Sequence, residues 1–473
     1  MRSVPWIRVN HLLSQTRFIP SGNPSLTSPG RYPWDRTGTA RISHGADPAV
    51  LLPWRSRPTA ILRTSRKEII TVGQTLILTG NQVAALAAKL CRVQVIAAYP
   101  ITPQSKIPEV LSEYVERGEL AAEFVRVESE HSAMGVCISA SLVGARVFTA
   151  TAANGLAYMH EQLHWAAGAR LPIVMPVTNR GLGAPWTILN DMQDSISQRD
   201  TGWMQFYCMN NQEIVDQIIL AYKVSEQLLI PTMVCFDGFR LSHTSMPVTI
   251  PDQQEVDAFL PPFKLPYAID PDKPVNINPV IMTDPLPDPD GTISPGYMGF
   301  RRRLQESFES ALPVIARAGE AYGEAFGRSY GDCLYRYQTE DADFLFVTMG
   351  SLASEASETV DMLRSQGVKA GVVGVRVFRP FPAKILADAV KRARALAVVE
   401  KAISYGYEGA LATELKAALY SQNGSHPSLR NYIVGLGGKD VKPSDLLEAS
   451  TDALQAAEEL IGQATPRWLG NEV

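Results

Sequence analysis

The sequence predicts an α/β fold: a doubly wound, mostly parallel sheet followed by a smaller α/β domain. Three observations carry this expectation. Between Gly80 and Gly238, short apolar runs alternate with segments of helical period, giving six strands. A stretch crowded with Pro and Asp, such as "PDPDGTISPG", then interrupts the rhythm. A second, shorter alternation begins at Asp343.

In order, "GNQVAALAAKLCR" reads as a helix with Asn81 as its start signal. "VQVIAAYP" is a buried strand stopped by Pro100, and "IPEVLSEYVERGEL" an amphipathic helix ending near Gly118. "AEFVRVE" is a strand and "SEHSAMGVCISASLVGA" a helix. "RVFTAT" is a strand, "NGLAYMHEQLHWAAGA" one helix and "LPIVMPVT" a strand. "MQFYC", "NQEIVDQIILAYKVSEQ" and "IPTMVCFDG" complete the block as strand, helix, strand. Residues 245–300 read as an excursion or linker, not as a strand–helix unit, and 301–330 as amphipathic helix. In the second block "FLFVTMGS", "VKAGVVGVRVFRPFP", "ALAVVEKA" and "RNYIVGLGG" are the strands. The helices between them are "LASEASETVDMLRSQG", "AKILADAVKRAR" and "GALATELKAALYSQ". The domain boundaries expected are 1–67, 68–245, 246–335 and 336–465.

The chain has 473 residues, 45% of them apolar and 19% charged, as in a packed soluble protein. A net charge of −4 points to neither a nucleic-acid nor a membrane partner. No run of apolar residues is long enough to span a bilayer. The charge is uneven: residues 1–67 hold ten Arg and one Lys against Asp35 and Asp47. Their Arg-rich, acid-poor composition also fits an organelle presequence. Their eight prolines favour a basic, disordered tail or a start placed too far upstream. The five cysteines form no C-x-x-C, which excludes a local zinc knuckle or a four-Cys iron–sulfur motif. They read as reduced core residues of a cytoplasmic protein.

One motif points elsewhere. "YMHEQLHW" contains His160-Glu161-Gln162-Leu163-His164, the H-E-x-x-H pattern in which two His on one helix face grip zinc and the Glu acts as base. No third ligand in a recognisable context follows it. Leu156, Met159, Leu163 and Ala167 form an apolar stripe at helical spacing, so the segment is expected to pack on a sheet.

Ligands of open parallel sheets bind outside the carboxyl ends of the strands. There the first block presents Thr102 in "YPITP", then Glu128, Glu130 and His131 in "ESEHS", Asn154 in "AANG", and Asn179 and Arg180 in "NRGLGAPW". Singly, each has a plain structural role open to it: a stiff turn for Thr102, the helix dipole for Glu130, an ion pair for Arg180. Their coincidence on one rim suits a small anionic substrate beside a base-bearing cofactor.

The segments "AAYPITPQSKIPEVLSEYV", "EFVRVESEHSAMG", "NRGLGAPW", "RDTGWMQFYC", "CFDGFRLSHT", "VFRPFP" and "VGLGGKDV" together resemble the alpha subunit of pyruvate:ferredoxin oxidoreductase. More broadly they resemble the 2-oxoacid:acceptor oxidoreductases that use thiamine pyrophosphate. The resemblance spans roughly residues 70–460. It implies a pyrimidine-binding α/β domain followed by a transketolase C-terminal-like domain. It further implies that Glu130 lies against N1′ of the aminopyrimidine, favouring the imino tautomer that removes the C2 proton. Arg180 would hold the substrate carboxylate, Thr102 would hydrogen-bond the substrate, and Asn154 and Pro100 would line the cofactor. The implied reaction is decarboxylation of pyruvate to acetyl-CoA and CO2, with coenzyme A taking the acyl group and electrons passing to ferredoxin.

The chain lacks both cluster cysteines and the G-D-G…N motif that holds Mg2+-pyrophosphate; "YGDCLY" is a poor match. The resemblance therefore implies a beta subunit carrying Mg2+, the pyrophosphate site and a 4Fe-4S cluster, with gamma and ferredoxin-like delta subunits beside it. Two departures bear on the substrate. Ala153-Asn154-Gly155 stands where the family usually reads S-Q-G, and Met192 where it usually has His. Both loops are expected to approach the substrate, which opens aromatic or branched 2-oxoacids, or oxalate, besides pyruvate. A non-catalytic assembly subunit is the remaining reading.

Overall fold

Thr79 starts the first helix of the described residues. Its hydroxyl accepts the Gln82 N–H while the Gln82 side chain accepts the Thr79 N–H, a reciprocal cap. Asn81, the start signal expected from sequence, is instead buried in the first turn, where its amide donates to the Pro103 carbonyl at 2.8 Å. The computed structural model describes residues 73–266, 296–422, 426–459 and 465–470, with short pieces at 286–287, 293–294, 424 and 462. The basic segment 1–67 lies outside them.

The first block runs β1 (Gln74–Thr79), α1 (Gly80–Leu90), β2 (Val95–Ala98), α2 (Lys106–Glu116), β3 (Glu123–Arg126), α3 (Glu130–Leu142), β4 (Val147–Phe148), α4 (Ala153–Tyr158), α5 (His160–Gly168), β5 (Val174–Asn179), α6 (Gln193–Ile196), β6 (Met204–Tyr207), α7 (Asn211–Leu228) and β7 (Thr232–Asp237). Next come β8 (Ser245–Ile250), α8 (Gln253–Phe259), the two-residue pair β9 (Leu286–Pro287) and β10 (Ile293–Ser294), α9 (Tyr297–Glu309) and α10 (Ala311–Phe326). The second block is β11 (Leu334–Tyr337), β12 (Phe344–Thr348), α11 (Leu352–Ser365), β13 (Ala370–Val375), β14 (Val377–Arg379), α12 (Ala383–Val390), β15 (Ala395–Glu400), α13 (Ala410–Tyr420), β16 (Ser428–Ile433), α14 (Pro443–Glu459) and β17 (Arg467–Trp468).

The large sheet has the order β14-β6-β7-β5-β4-β2-β3 and the smaller one β11-β13-β12-β15-β16-β17. All pairs are parallel except β14 on β6 and β11 on β13, so the expected fold class is the one observed. Three local expectations need correction. The single helix of 154–169 is two, broken at Met159. Residues 245–259 are not a mere linker: β8 pairs antiparallel with β1, and α8 follows behind an Asp252 cap. The long strand "VKAGVVGVRVFRPFP" is divided at Arg376. β13 stays in the small sheet, while β14 crosses to close the edge of the large one, with Val377 opposite Phe206.

The polar residue at that division fixes it. Arg376 donates to Glu213 Oε1 at 2.9 Å and to the Leu334 carbonyl at 2.8 Å, tying α7, β11 and the crossing together. Asp216, fully buried on α7, likewise accepts Tyr322, Arg328 and Tyr330, which anchors α10 and the turn after it. The weak G-D-G look-alike "YGDCLY" is thus structural: Tyr330 serves Asp216, and Asp332 pairs with Arg336.

One face of the large sheet packs under α1, α2 and α7. On the other face a single apolar core includes Met134, Leu163, Met175 and Tyr207 of the first block together with Leu345, Val373 and Leu411 of the second. Each such side chain fully withdrawn from water contributes about 1.5–3 kcal/mol. The predicted stripe Leu156, Met159, Leu163 and Ala167 is part of it, each residue at 0% exposure.

Candidate active site

The large sheet reverses its strand order between β2 and β4, since β3 lies to one side of β2 and β4 to the other. A crevice opens at such a switch point, beyond the carboxyl ends of the strands. The chain places α3, the turn before α4, the loop after β2 and the end of β5 around it.

Glu130 is the first residue of α3, behind a Ser129 cap that accepts the Ser132 N–H at 3.2 Å. It is 8% exposed, yet among the described residues its carboxylate receives no hydrogen bond. Facing it is Gly155: a Cβ there would lie 2.6 Å from Glu130 Oε1 and 2.6 Å from Thr151 Oγ1. Thr151 Oγ1 is itself buried without a partner among the described residues. A buried acceptor and a buried hydroxyl with no donor or acceptor between them fit a ligand that brings its own polar edge. An aminopyrimidine is such a ligand, and the absence of a side chain at Gly155 makes room for the carboxylate itself. Glu128, two residues earlier and outside the helix, is exposed and spent on Ser132.

Arg180 follows β5. Its Nε donates to the Thr187 carbonyl at 3.1 Å and its Nη1 to the Thr102 carbonyl at 2.8 Å. Among the described residues two of five guanidinium donors are thereby used, which leaves the others for a planar anion. Thr102 is exposed, precedes a cis peptide to Pro103, and meets Arg180 through its carbonyl rather than its hydroxyl. Pro100 is exposed on the same loop. Asn154 accepts the Gly183 N–H at 3.2 Å, tying the first turn of α4 to the Arg180 loop.

The residue that joins these parts went unnoticed in the sequence. Asp194, 1% exposed, accepts the Ala153 N–H (2.9 Å), the Arg180 N–H (3.1 Å), the Ser195 N–H (2.7 Å) and the Asn179 amide (2.7 Å). Burial pushes its carboxyl up to about 7, and the Asn179 amide is the strongest of the donors opposing that rise. It also holds Ala153 in a left-handed conformation, φ +43°, which few non-glycine residues adopt. The acidic residues of "NDMQD" were the only sequence signal, and nothing in their spacing reveals donors up to 41 residues upstream.

The loop that carries Met192 reaches the site through Asp194, while the Met192 side chain itself packs inward. It is 1% exposed, and a Cβ on Gly350 of the second block would lie 2.4 Å from its methyl. The segment it sits in turns inward, because Asn190 and Lys401 both bond Asp237 Oδ2 at 2.8 Å in a buried cluster with Ser351.

The H-E-x-x-H helix holds no metal geometry. His160 Nδ1 bonds Gln198 Oε1 at 2.6 Å, and the two His rings meet edge to face at 5.0 Å. Burial, the neighbouring His160 and the Arg301 guanidinium hold the His164 imidazole below its usual range, and that guanidinium would repel a cation. Glu161 turns to His131, 3.8 Å away. Among the described residues no three His, Cys, Asp or Glu are grouped to hold a metal. The purified protein is expected to contain no stoichiometric zinc and to keep its melting temperature in chelator. Zinc bound one-to-one and lost on His164→Ala would refute this.

Residues 86–288 match the thiamine diphosphate-binding domain of pyruvate flavodoxin/ferredoxin oxidoreductases. Residues 342–446 match core domain II of pyruvate:ferredoxin oxidoreductase. These matches define the class, an oxidoreductase subunit with a thiamine diphosphate-binding domain. Among curated relatives, ketoisovalerate oxidoreductase subunit VorA of Pyrococcus abyssi is 47% identical over 81% of this chain and 94% of its own length. Pyruvate synthase subunit PorA of Pyrococcus furiosus is 47% identical over 83% and 97%. The chain belongs to the alpha subunits of the 2-oxoacid:ferredoxin oxidoreductase family. Its fold is also that of 2-oxoglutarate:ferredoxin oxidoreductase from Magnetococcus marinus, with a TM-score of 0.63 at 16% identity. That alignment covers 80% of this chain and spans 65% of the longer protein. No helix among the described residues is long and apolar enough to cross a membrane.

Proposed function

We propose that this subunit binds the aminopyrimidine half of thiamine diphosphate and the carboxylate of a small aliphatic 2-oxoacid, pyruvate first, in a CoA-dependent oxidative decarboxylase that reduces ferredoxin. The observation that carries the reading is the pairing, on one rim, of the donor-free buried Glu130 with an Arg180 guanidinium that has donors to spare.

Thiamine diphosphate, with its aminopyrimidine held against Glu130, would supply the nucleophilic chemistry toward a keto carbon. The chain's own part is to hold a negative charge at Glu130, where a ring nitrogen would be kept protonated, and to exclude water with Gly155, Thr151 and Leu156. Arg180 binds the substrate carboxylate with charge-assisted hydrogen bonds, and the Thr102 loop orients the guanidinium. Asn154, through Gly183, fixes the loop over the substrate. A partner beta subunit supplies the pyrophosphate site, Mg2+ and a 4Fe-4S cluster. Gamma and delta subunits complete the electron path.

A second reading is 2-oxoisovalerate, favoured by equal identity to relatives named for ketoisovalerate and for pyruvate. With Met192 turned inward, Asn154 is the family departure that stays on the rim, and its shorter amide leaves room beside a branched side chain. The test is anaerobic purification with native partners, then CoA-dependent reduction of a low-potential acceptor with pyruvate, 2-oxoisovalerate, 2-oxoglutarate, an aromatic 2-oxoacid and oxalate. Pyruvate is expected to give the highest kcat/KM. Preference for 2-oxoisovalerate selects the second reading. No cluster-bearing partner and no activity with any 2-oxoacid would end both.

A further inference from the structure

Thr187 sits midway along the loop that carries Arg180, and it faces two ways. Its backbone carbonyl accepts Arg180 Nε at 3.1 Å. Its hydroxyl donates to the Gly437 carbonyl at 3.2 Å and accepts the Leu189 N–H at 3.1 Å. Gly437 belongs to the second block, in the turn G-L-G-G-K-D after β16. From the same turn the Gly437 N–H returns to Asp191 Oδ2 at 3.2 Å.

The turn is shaped to receive the loop. Gly435, Gly437 and Gly438 have φ of +64°, +62° and +79°, a region that side chains disfavour. A Cβ at Gly438 would lie 2.1 Å from Leu189 Cβ, and one at Gly437 would lie 3.2 Å from Thr187 Cγ2. The loop itself is closed at its base by the Gly181 N–H on the Leu189 carbonyl at 3.0 Å. The guanidinium is therefore held by a carbonyl whose own residue is pinned by the other block.

We propose that Thr187 is a positioning residue for substrate recognition: through its hydroxyl, the glycine turn of the second block sets where the Arg180 guanidinium stands. The second block is then more than an assembly element. A long, rotamer-rich side chain binds an anion more tightly when its orientation is fixed beforehand. This rests on the reading that Arg180 binds the substrate carboxylate, and the experiment separates the two.

In the complex purified with its native partners, T187V, T187S and R180K are compared with wild type. The readouts are kcat, KM for the preferred 2-oxoacid, and the thermal shift that this 2-oxoacid produces in the presence of thiamine diphosphate. Losing one hydrogen bond of this kind is expected to raise KM roughly three- to tenfold in T187V. The thermal shift should shrink in step and kcat should stay close to wild type. T187S keeps the hydroxyl and should restore wild-type values. A wild-type KM in T187V overturns the proposal, as does T187S being as impaired as T187V. If T187V assembles poorly, G438A crowds Leu189 from the other block and should also raise KM; an unchanged KM there overturns it too. If R180K raises KM and T187V does not, the positioning role alone fails. If R180K also leaves KM unchanged, the carboxylate reading fails with it.

Discussion

Glu130→Gln is expected to lower turnover of the assembled complex by a hundred- to ten-thousandfold, roughly the range carried by a positioned acid–base group. Gln fills the same volume against Gly155 and Thr151, so folding should be untouched. What is lost is the charge. A neutral amide at this position cannot stabilise a protonated ring nitrogen, whereas the carboxylate, which receives no hydrogen bond among the described residues, is free to do so. The KM for the 2-oxoacid should change little, because Arg180 stands at the end of a different strand. Steady-state kinetics, with a melting curve to check the fold, decide it. Unchanged turnover would remove Glu130 from the chemistry and revive the assembly-subunit reading.

Asp194→Ala is expected to be the most damaging change to the fold around the crevice. Four donors, the N–H groups of Ala153, Arg180 and Ser195 and the amide of Asn179, lose their acceptor together. A buried donor left unpaired costs about 1–3 kcal/mol, so a loss on the order of 4 kcal/mol remains even if water rescues part of the set. Asp194→Asn keeps the shape but turns an NH2 toward backbone donors, and should be intermediate in stability with a reduced kcat/KM. Urea unfolding followed by circular dichroism measures the first effect. A midpoint equal to that of wild type in Asp194→Ala would show that the network is not what holds Ala153 and Arg180.

Much of this was legible in the sequence, and the limits have physical causes. Alternating apolar runs marked the parallel strands because strands buried on both faces read as continuous Val, Ile and Ala. The break at Met159 was invisible because the apolar stripe continues through it, while only the backbone bonding changes: the Met159 N–H reaches both Gly155 and Leu156. The crossing at Arg376 was hidden because an apolar run does not say which sheet it joins. In the crevice, Glu130, Arg180 and Asn154 could be read as polar residues at strand ends. Asp194, Thr187 and the true place of Met192 could not. Their roles depend on partners 41 residues upstream and 250 residues downstream, or on a glycine in the other block.

The crossing strand also limits how such a chain can be divided. The edge of β6, whose Met204 and Phe206 are essentially unexposed, is sealed by Val377–Arg379, which in sequence belong to the other block. A break that separates the blocks would leave an open apolar edge, the kind that pairs with whatever strand it meets. An exchange of second blocks between relatives therefore has to move the Val377–Arg379 run together with its seat at Gln205 and Phe206. The heritable unit is set by that seam, not by the two alternating patterns on either side of it.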